Sequence, residues 1–79
     1  MDISDVVRLV NESCPRTKVD IMQKLHESNR LVPIEFFQML RCNDPADVNK
    51  QTEICKRSIP SMGFSNNAEF IEFINGVID

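Results

Sequence analysis

The stretch HESNRLVPIEFFQML, residues 26–40, contains a polar break between two segments with apolar periodicity. The break is Ser28, Asn29 and Arg30. On each side of it, apolar residues recur at the three- and four-residue spacing of an amphipathic helix. The pattern therefore predicts two helices joined by a short turn. Such a pair is compatible with three uses: reading DNA, carrying a prosthetic group, or presenting a face to another protein.

The helical spacing continues in both directions from this stretch. The chain has 79 residues, only two glycines and no alternating strand pattern. We predict an all-α fold, a small bundle of about five short helices in orthogonal or irregular packing, with residues 1–79 forming a single helical domain. The expected helices are Ser4–Glu12, Lys18–Glu27, Pro33–Cys42, Pro45–Ser58 and Asn67–Asn75.

Proline, glycine and capping residues predict the helix ends. Pro15 and Pro60 are expected to stop the first and fourth helices, and Gly76 the fifth. Thr17 followed by Asp20 has the spacing of a capping box for the second helix. The other expected start signals are Pro33, Asp44 with Pro45, and Ser65 or Asn66.

The third helix has more apolar surface than one core-facing stripe needs. At about 100° per residue, its apolar side chains cover roughly 220° of arc, whereas those of the fourth helix cover only about 60°. The third helix is therefore either central in the bundle or partly exposed as a binding surface. The fourth is expected to lie at the surface and touch the core lightly. Ile54 falls about 100° outside its apolar stripe, which adds to the exposed apolar area.

The charge distribution favours a protein partner over nucleic acid. Net charge is −3 and both ends of the chain are acidic, while residues 15–57 hold eight basic and six acidic side chains, which leaves that segment at about +2. Tight duplex binding usually neutralises several phosphates at once, so this excess is small for a DNA-binding protein.

A helix-turn-helix regulator is the alternative that the opening stretch leaves open. Its second helix would need basic or amide side chains at its start, to meet base edges and phosphates. That start here is PIEFF, residues 33–37, in which Glu35 repels phosphate. The side chains available for DNA backbone contacts would be Lys18, Lys24, Arg30, Arg41 and Lys50.

Few side chains suit catalysis or metal binding. His26 is the only histidine, and a catalytic base also needs a positioned partner. Cys14, Cys42 and Cys55 lie on or near helix faces expected to be buried, and they lack the close pairing of zinc ligands. We therefore expect no catalytic residue, no metal site and no cofactor.

The segment NRLVPIEFF, residues 29–37, resembles the modified helix of the acyl carrier protein family, and the C-terminal FIEFINGVID is similar to the last helix of such carriers. The residues that match the first pattern are Leu31, Ile34, Glu35, Phe36 and Phe37. The resemblance implies a small acidic helical carrier with a phosphopantetheine arm on a serine. Arg30 stands at the position of that serine, and Ser28 lies two residues away, so no attachment site carries over.

Together these patterns favour a small, non-enzymatic protein–protein interaction module: an adaptor, inhibitor or regulatory subunit. The odd number of cysteines, the lack of a signal-peptide pattern and the absence of a long apolar run predict an intracellular, cytoplasmic protein without a membrane span. The expected partner is another protein, with a homodimer through the same faces as an alternative. The residues expected to bind it are Glu35, Phe36, Met39, Arg41, Lys50, Ile54 and Arg57.

Overall fold

A computed structural model describes residues 1–41 and 47–78 of the chain. In these two ranges the chain forms five helices and no strand, which confirms the predicted small all-α bundle. The helices are α1 (Ile3–Glu12), α2 (Pro15–Glu27), α3 (Ile34–Arg41), α4 (Val48–Ser61) and α5 (Asn67–Ile78). The expected cap at Asp44 and Pro45 lies outside the described residues, as does Cys42.

The first helix is fixed by its cap and by one apolar face. The Asp2 carboxylate accepts a hydrogen bond from the Asp5 backbone N–H, and the Asp5 carboxylate accepts one from the Asp2 N–H, which together form a capping box. Hydrogen bonds from the Ser4 hydroxyl and the Asp5 N–H lower the pKa of Asp2. The buried face of α1 packs most extensively on α4, and its residues are Ile3, Val6, Val7 and Val10.

Pro15 begins a helix, and the expected start of the second helix at Lys18 is wrong. α1 has already ended at Glu12, and Cys14 is the residue that precedes α2. Proline suits the first helical position because its missing N–H would have no partner there. Thr17 therefore lies inside the first turn of α2, and the predicted capping box with Asp20 is not the start of this helix.

Two helices end in the same main-chain motif, with a residue in the left-handed region. After α2, Asn29 has φ 57°, its N–H donates to the His26 carbonyl, and the Arg30 N–H donates to the Leu25 carbonyl. These two bonds form a Schellman motif, so the polar break in the opening stretch is a helix stop.

α4 ends in the same motif. Its last residue is Ser61, one residue after Pro60, so the expected stop at Pro60 is wrong. Gly63 has φ 86° and donates to the Pro60 carbonyl, while Phe64 donates to the Ile59 carbonyl. Gly76 also fails as a stop, because α5 continues through it to Ile78. The expected cap of α5 is confirmed at Asn66, whose side-chain oxygen accepts from the Glu69 N–H at 2.8 Å.

The fourth helix is more deeply buried than its narrow apolar stripe indicates. Besides Cys55 and Ile59, it buries the polar residues Gln51, Thr52 and Ser58. The Thr52 and Ser58 hydroxyls donate to carbonyls four residues back in the same helix, which satisfies them without water. Gln51 accepts from the Asn11 amide at 2.7 Å and so joins α4 to α1. The prediction that this helix touches the core lightly is wrong.

The core centres on phenylalanines from three parts of the chain. Phe36 of α3 and Phe64 of the α4–α5 connection each pack edge-on against Phe70 of α5, with ring centroids 6.1 and 5.4 Å apart. Phe73 packs edge-on against Phe64. Such edge contacts suit the charge distribution of aromatic rings. α3 is therefore central on one side, where Phe36, Met39 and Leu40 are buried, and exposed on the other.

Candidate protein-docking surface

The exposed large apolar side chains are concentrated in one part of the molecule. Of the five that the described residues contain, Met1 is at the N-terminus, whereas Val19, Leu31, Ile34 and Phe37 come from α2, α3 and the connection between them. Val19 is 63% exposed, and Leu31 and Ile34 are each 74% exposed. Isolated apolar residues are ordinary on a protein surface, but clustering of this kind is typical of interaction sites.

Part of this region is an apolar groove between α2 and α3, which we call the α2–α3 groove. Its volume is about 530 Å³. The residues that line it are Pro15, Lys18, Val19 and Met22 of α2 and Phe37, Leu40 and Arg41 of α3. On α2, positions three or four apart lie on one face, which brings Pro15, Val19 and Met22 together along the groove.

Adjacent phenylalanines of α3 point in different directions and give the groove one wall. Consecutive residues are about 100° apart round a helix, so Phe36 and Phe37 point toward different sides of α3. Phe36 is 1% exposed, and Phe37 is 39% exposed. Ile34, three residues before Phe37, lies on the same side of α3 and extends the apolar surface beyond the groove.

Among the described residues that line the α2–α3 groove, the charged ones are Lys18 and Arg41, and both are cationic. The Arg41 guanidinium lies 5.7 Å from the centroid of the Phe37 ring, within the range of a cation–π contact. Within residues 1–41 and 47–78, neither cation is in an ion pair. The described lining of the groove is thus apolar with two cationic side chains.

The residues predicted from sequence to bind a partner fall in three different places. Five of them line a shallow depression of about 350 Å³ between α3 and α4, together with Gln38; these are Glu35, Met39, Lys50, Ile54 and Arg57. Arg41 lies instead at the α2–α3 groove. Phe36 is in the core.

The exposure that was expected for Phe36 and Met39 is wrong. Phe36 packs against Phe70, and Met39 is only 9% exposed, because α3 uses this side to meet the rest of the bundle. Ile54 is partly buried against the same core. In the depression, Glu35 and Arg57 form an exposed ion pair at 3.1 Å, so these two charges already satisfy each other.

Sequence reasoning missed the apolar residues of the α2–α3 groove, although a signal for one of them was present. A separation of two residues places Val19 about 200° round the helix from Ile21, so the two cannot face the same core. Ile21 and Leu25 are fully buried, and Val19 faces outward.

Arg30, a predicted DNA backbone contact, is packed into the fold. Its guanidinium carbon lies 3.9 Å from the centroid of the Phe64 ring, and one of its nitrogens donates to the Met62 carbonyl at 3.0 Å. A second nitrogen lies 3.8 Å from a Glu69 carboxylate oxygen. Lys24, another predicted contact, pairs with Glu27 at 3.5 Å on the surface.

The nucleophilic and titratable side chains are dispersed. His26 is exposed on α2. Cys14 is exposed, contrary to expectation, and a hydrogen bond with the Thr17 hydroxyl lowers its pKa. Cys55 is buried as expected, and its burial raises its pKa to about 12. In the two described ranges, no three histidine, cysteine or acidic side chains come close enough to hold a metal ion.

Comparison of the chain with protein-family models, with curated proteins and with solved structures gives no match. No helix within residues 1–41 and 47–78 is both long and apolar enough to cross a lipid bilayer.

Proposed function

We propose that this chain is a non-enzymatic protein-binding module that docks onto another protein through the α2–α3 groove. The observation that carries the proposal is an apolar groove with cationic edges beside a core that is already filled. α2 and α3 already contribute buried side chains to the core, while Val19 and Phe37 remain in contact with water. Covering them would remove apolar surface from water, which is the main driving force for protein association.

The chemistry of the groove is that of a binding surface more than that of an active site. An aromatic ring with an arginine across it combines two residue types that are enriched at interface centres. The described lining residues include no acid–base pair of the kind that acid–base catalysis requires, and the exposed thiol of Cys14 is not one of them.

DNA binding receives less support. Arg30 is held by Met62, Phe64 and Glu69, so it contributes little positive surface for a phosphate backbone. Glu35 is exposed on α3, where a reading helix would approach DNA. The depression between α3 and α4 stays a prediction as a second contact area, with Lys50 as its cation outside the Glu35–Arg57 pair.

Site-specific crosslinking in the native cell tests the proposed surface. A photoreactive phenylalanine analogue is placed at Val19, inside the groove, and in a control chain at Lys56, which is exposed on α4 and outside the groove. We expect discrete protein adducts from position 19, their loss when Phe37→Ser is added, and none of the same adducts from position 56. The same adducts at both positions, or none at position 19, would contradict the proposal.

Stability measurements on Phe36 and Phe37 distinguish a binding surface from the core. Phe36→Ala is expected to lower the free energy of unfolding by about 3–5 kcal/mol, because it leaves a cavity among packed rings. Phe37→Ser is expected to cost about 1 kcal/mol, because this side chain is already partly in water. Chemical denaturation measures both. An equal cost at the two positions would mean that Phe37 belongs to the core and that the groove is not a free surface.

The proposal includes an intracellular location. Support comes from Cys14 and Cys55, both of which are free thiols, with Cys14 exposed to solvent. Exposed thiols persist most readily in reducing compartments. Mass spectrometry of alkylated protein from its native cell would show Cys14 unmodified by disulfide bonding if this location is correct.

A further inference from the structure

We infer that the occupant of the α2–α3 groove is an amphipathic helix of another protein, with apolar residues facing the groove and acidic residues on either side of them. This inference rests on the proposed function and names the chemistry of its partner. Three features support it: the cationic side chains of the groove, the length of the groove, and the repulsion that the same cations would cause between two copies of the chain.

The charge at the edges selects an acidic partner. Lys18 on α2 and Arg41 on α3 stand at the groove, and Arg16 is exposed on α2 beside Pro15. Within the described ranges, none of the three takes part in an ion pair. This is a local inversion of the protein's net charge of −3. Opposite charge on the partner would fix its orientation and raise its association rate, while a basic partner would be repelled.

The length of the groove suits two turns of helix. From Pro15 to Met22, α2 extends about 11 Å at roughly 1.5 Å per residue. An amphipathic helix presents apolar side chains at positions i, i+3 or i+4, and i+7 over the same length. Val19, Met22 and Phe37 form the apolar surface on which those side chains would lie, and Arg41 across Phe37 supplies a cation beside them.

The same charges disfavour a second copy of the chain as occupant. A two-fold dimer through this face would bring the Lys18 and Arg41 side chains of both copies together in one interface. The acidic helix α1 of another copy would remove that repulsion only in a head-to-tail contact. Such contacts repeat from copy to copy and give rings if the rotation closes or open filaments if it does not. A different protein with acidic residues would pair with these cations without like-charge repulsion and without assembling copies of this chain head to tail.

Selection from a displayed library tests the inference with the full chain as bait. The probe is a library of helical peptides, about 16 residues long, randomised on one face and at the positions next to it. We expect the selected peptides to have large apolar residues at the spacing given above and Asp or Glu beside them. Some selected peptides could bind the parent chain but not its Phe37→Ser variant and yet be enriched in Lys or Arg, or show no charge preference. That result would overturn the acidic partner and leave the proposed function in place.

Variants of the bait separate the two claims further. Lys18→Glu with Arg41→Glu is expected to weaken the selected acidic peptides by about tenfold or more, since these charges face the ligand. The control, Arg8→Glu with Lys56→Glu, makes the same change in net charge outside the groove and is expected to alter affinity less than about twofold. Equal effects of the two pairs would overturn the inference.

Two remaining outcomes are decisive as well. If no peptide is selected, or if all selected peptides bind Val19→Ser and Phe37→Ser as tightly as the parent chain, the groove is not a docking site and the proposed function fails with the inference. If sedimentation shows a dimer that Phe37→Ser dissociates, the occupant is a second copy, and the acidic helical partner is overturned.

Discussion

The side chain of Arg30 connects the α2–α3 connection to the loop between α4 and α5. Its guanidinium carbon lies over the Phe64 ring, one nitrogen donates to the Met62 carbonyl, and another approaches Glu69. Its Nε is buried and makes no hydrogen bond, so burying this nitrogen lowers the stability of the fold. Arginine serves here as a packing residue, because its planar group can stack on a ring and bond a carbonyl at the same time.

Replacing Arg30 with methionine keeps the length of the apolar stem and removes the guanidinium. We expect Arg30→Met to lower the free energy of unfolding by about 1–3 kcal/mol, since the Met62 carbonyl loses its side-chain donor and Phe64 loses its stacked cation. Arg8→Met is the matched control, because Arg8 is exposed and pairs weakly with Asp5 at 3.8 Å. Denaturant unfolding measures both, and equal costs would show that the Arg30 contacts contribute no net stability.

The thiol of Cys55 gives the fold a pH dependence with a definite sign. Its pKa is about 12 in the folded chain and near 9.0 when exposed. Above pH 9 the unfolded chain loses this proton while the folded chain keeps it, so alkali favours unfolding. We expect the free energy of unfolding to fall by about 1.4 kcal/mol per pH unit from this group alone above pH 9. Cys55→Ala should lack that component, and denaturation at a series of alkaline pH values compares the two chains.

Alkylation provides an independent check on the same thiol. Under native conditions Cys14 should react at once, since it is exposed and hydrogen bonding lowers its pKa, and Cys55 should react only after unfolding. The experiment uses a Cys42→Ser variant, so that Cys14 and Cys55 are the only thiols whose alkylation mass spectrometry detects. Fast modification of Cys55 in the folded chain would contradict its burial.

At the scale of the helix, the ends depend on backbone conformation more than on side-chain identity. α2 and α4 stop through identical pairs of main-chain hydrogen bonds, with Asn29 in one motif and Gly63 in the other. A Cβ on Gly63 would lie 3.3 Å from a guanidinium nitrogen of Arg30, so the glycine also makes room for the arginine. Both features favour glycine at position 63.

These stops predict opposite results for two substitutions. Gly63→Ala should destabilise the chain by about 1–2 kcal/mol, because an L-residue is strained at φ 86°. Asn29→Gly should be neutral or slightly stabilising, because glycine adopts φ 57° without strain. Thermal unfolding of the two variants measures the difference. If Gly63→Ala has no cost, the backbone after α4 does not need the left-handed conformation.

Helical periodicity predicted where the helices are but not where they end. Proline and glycine do not always end a helix. Pro15 begins α2, Pro60 lies inside the last turn of α4, and α5 continues through Gly76. Periodicity also could not identify which apolar residues of α3 are covered, because that depends on how Phe64 and Phe70 reach it from distant parts of the chain. Glu35, Lys50 and Arg57, three of the residues expected to bind a partner, line one depression between α3 and α4.

At the scale of the whole molecule, the exposed apolar residues do not reflect loose packing. The accessible surface is 4967 Å², close to the roughly 4,900 Å² that a folded monomer of this mass exposes. The Cα radius of gyration is 11.1 Å, near the roughly 11.6 Å typical of a compact chain of this length. Val19 and Phe37 of the α2–α3 groove are therefore outside a completed core.

Solution size follows from the same dimensions and from the charge at the groove. We expect sedimentation and small-angle scattering to show a monomer of 9.1 kDa, since pairing through the groove would oppose like charges. Raising the salt concentration screens those charges and provides the control for their effect. A dimer whose stability is independent of salt would contradict the electrostatic part of this prediction.

The helix stop at Asn29 and the anchored side chain of Arg30 fix the connection between α2 and α3, the two helices that form the walls of the α2–α3 groove. A preformed cleft spares the complex the entropy of ordering a mobile segment. Encounter would then be limited by diffusion and by long-range attraction, and the lifetime of the complex would depend on how well the incoming residues fit against Phe37. Closely related ligands should differ mainly in how slowly they leave.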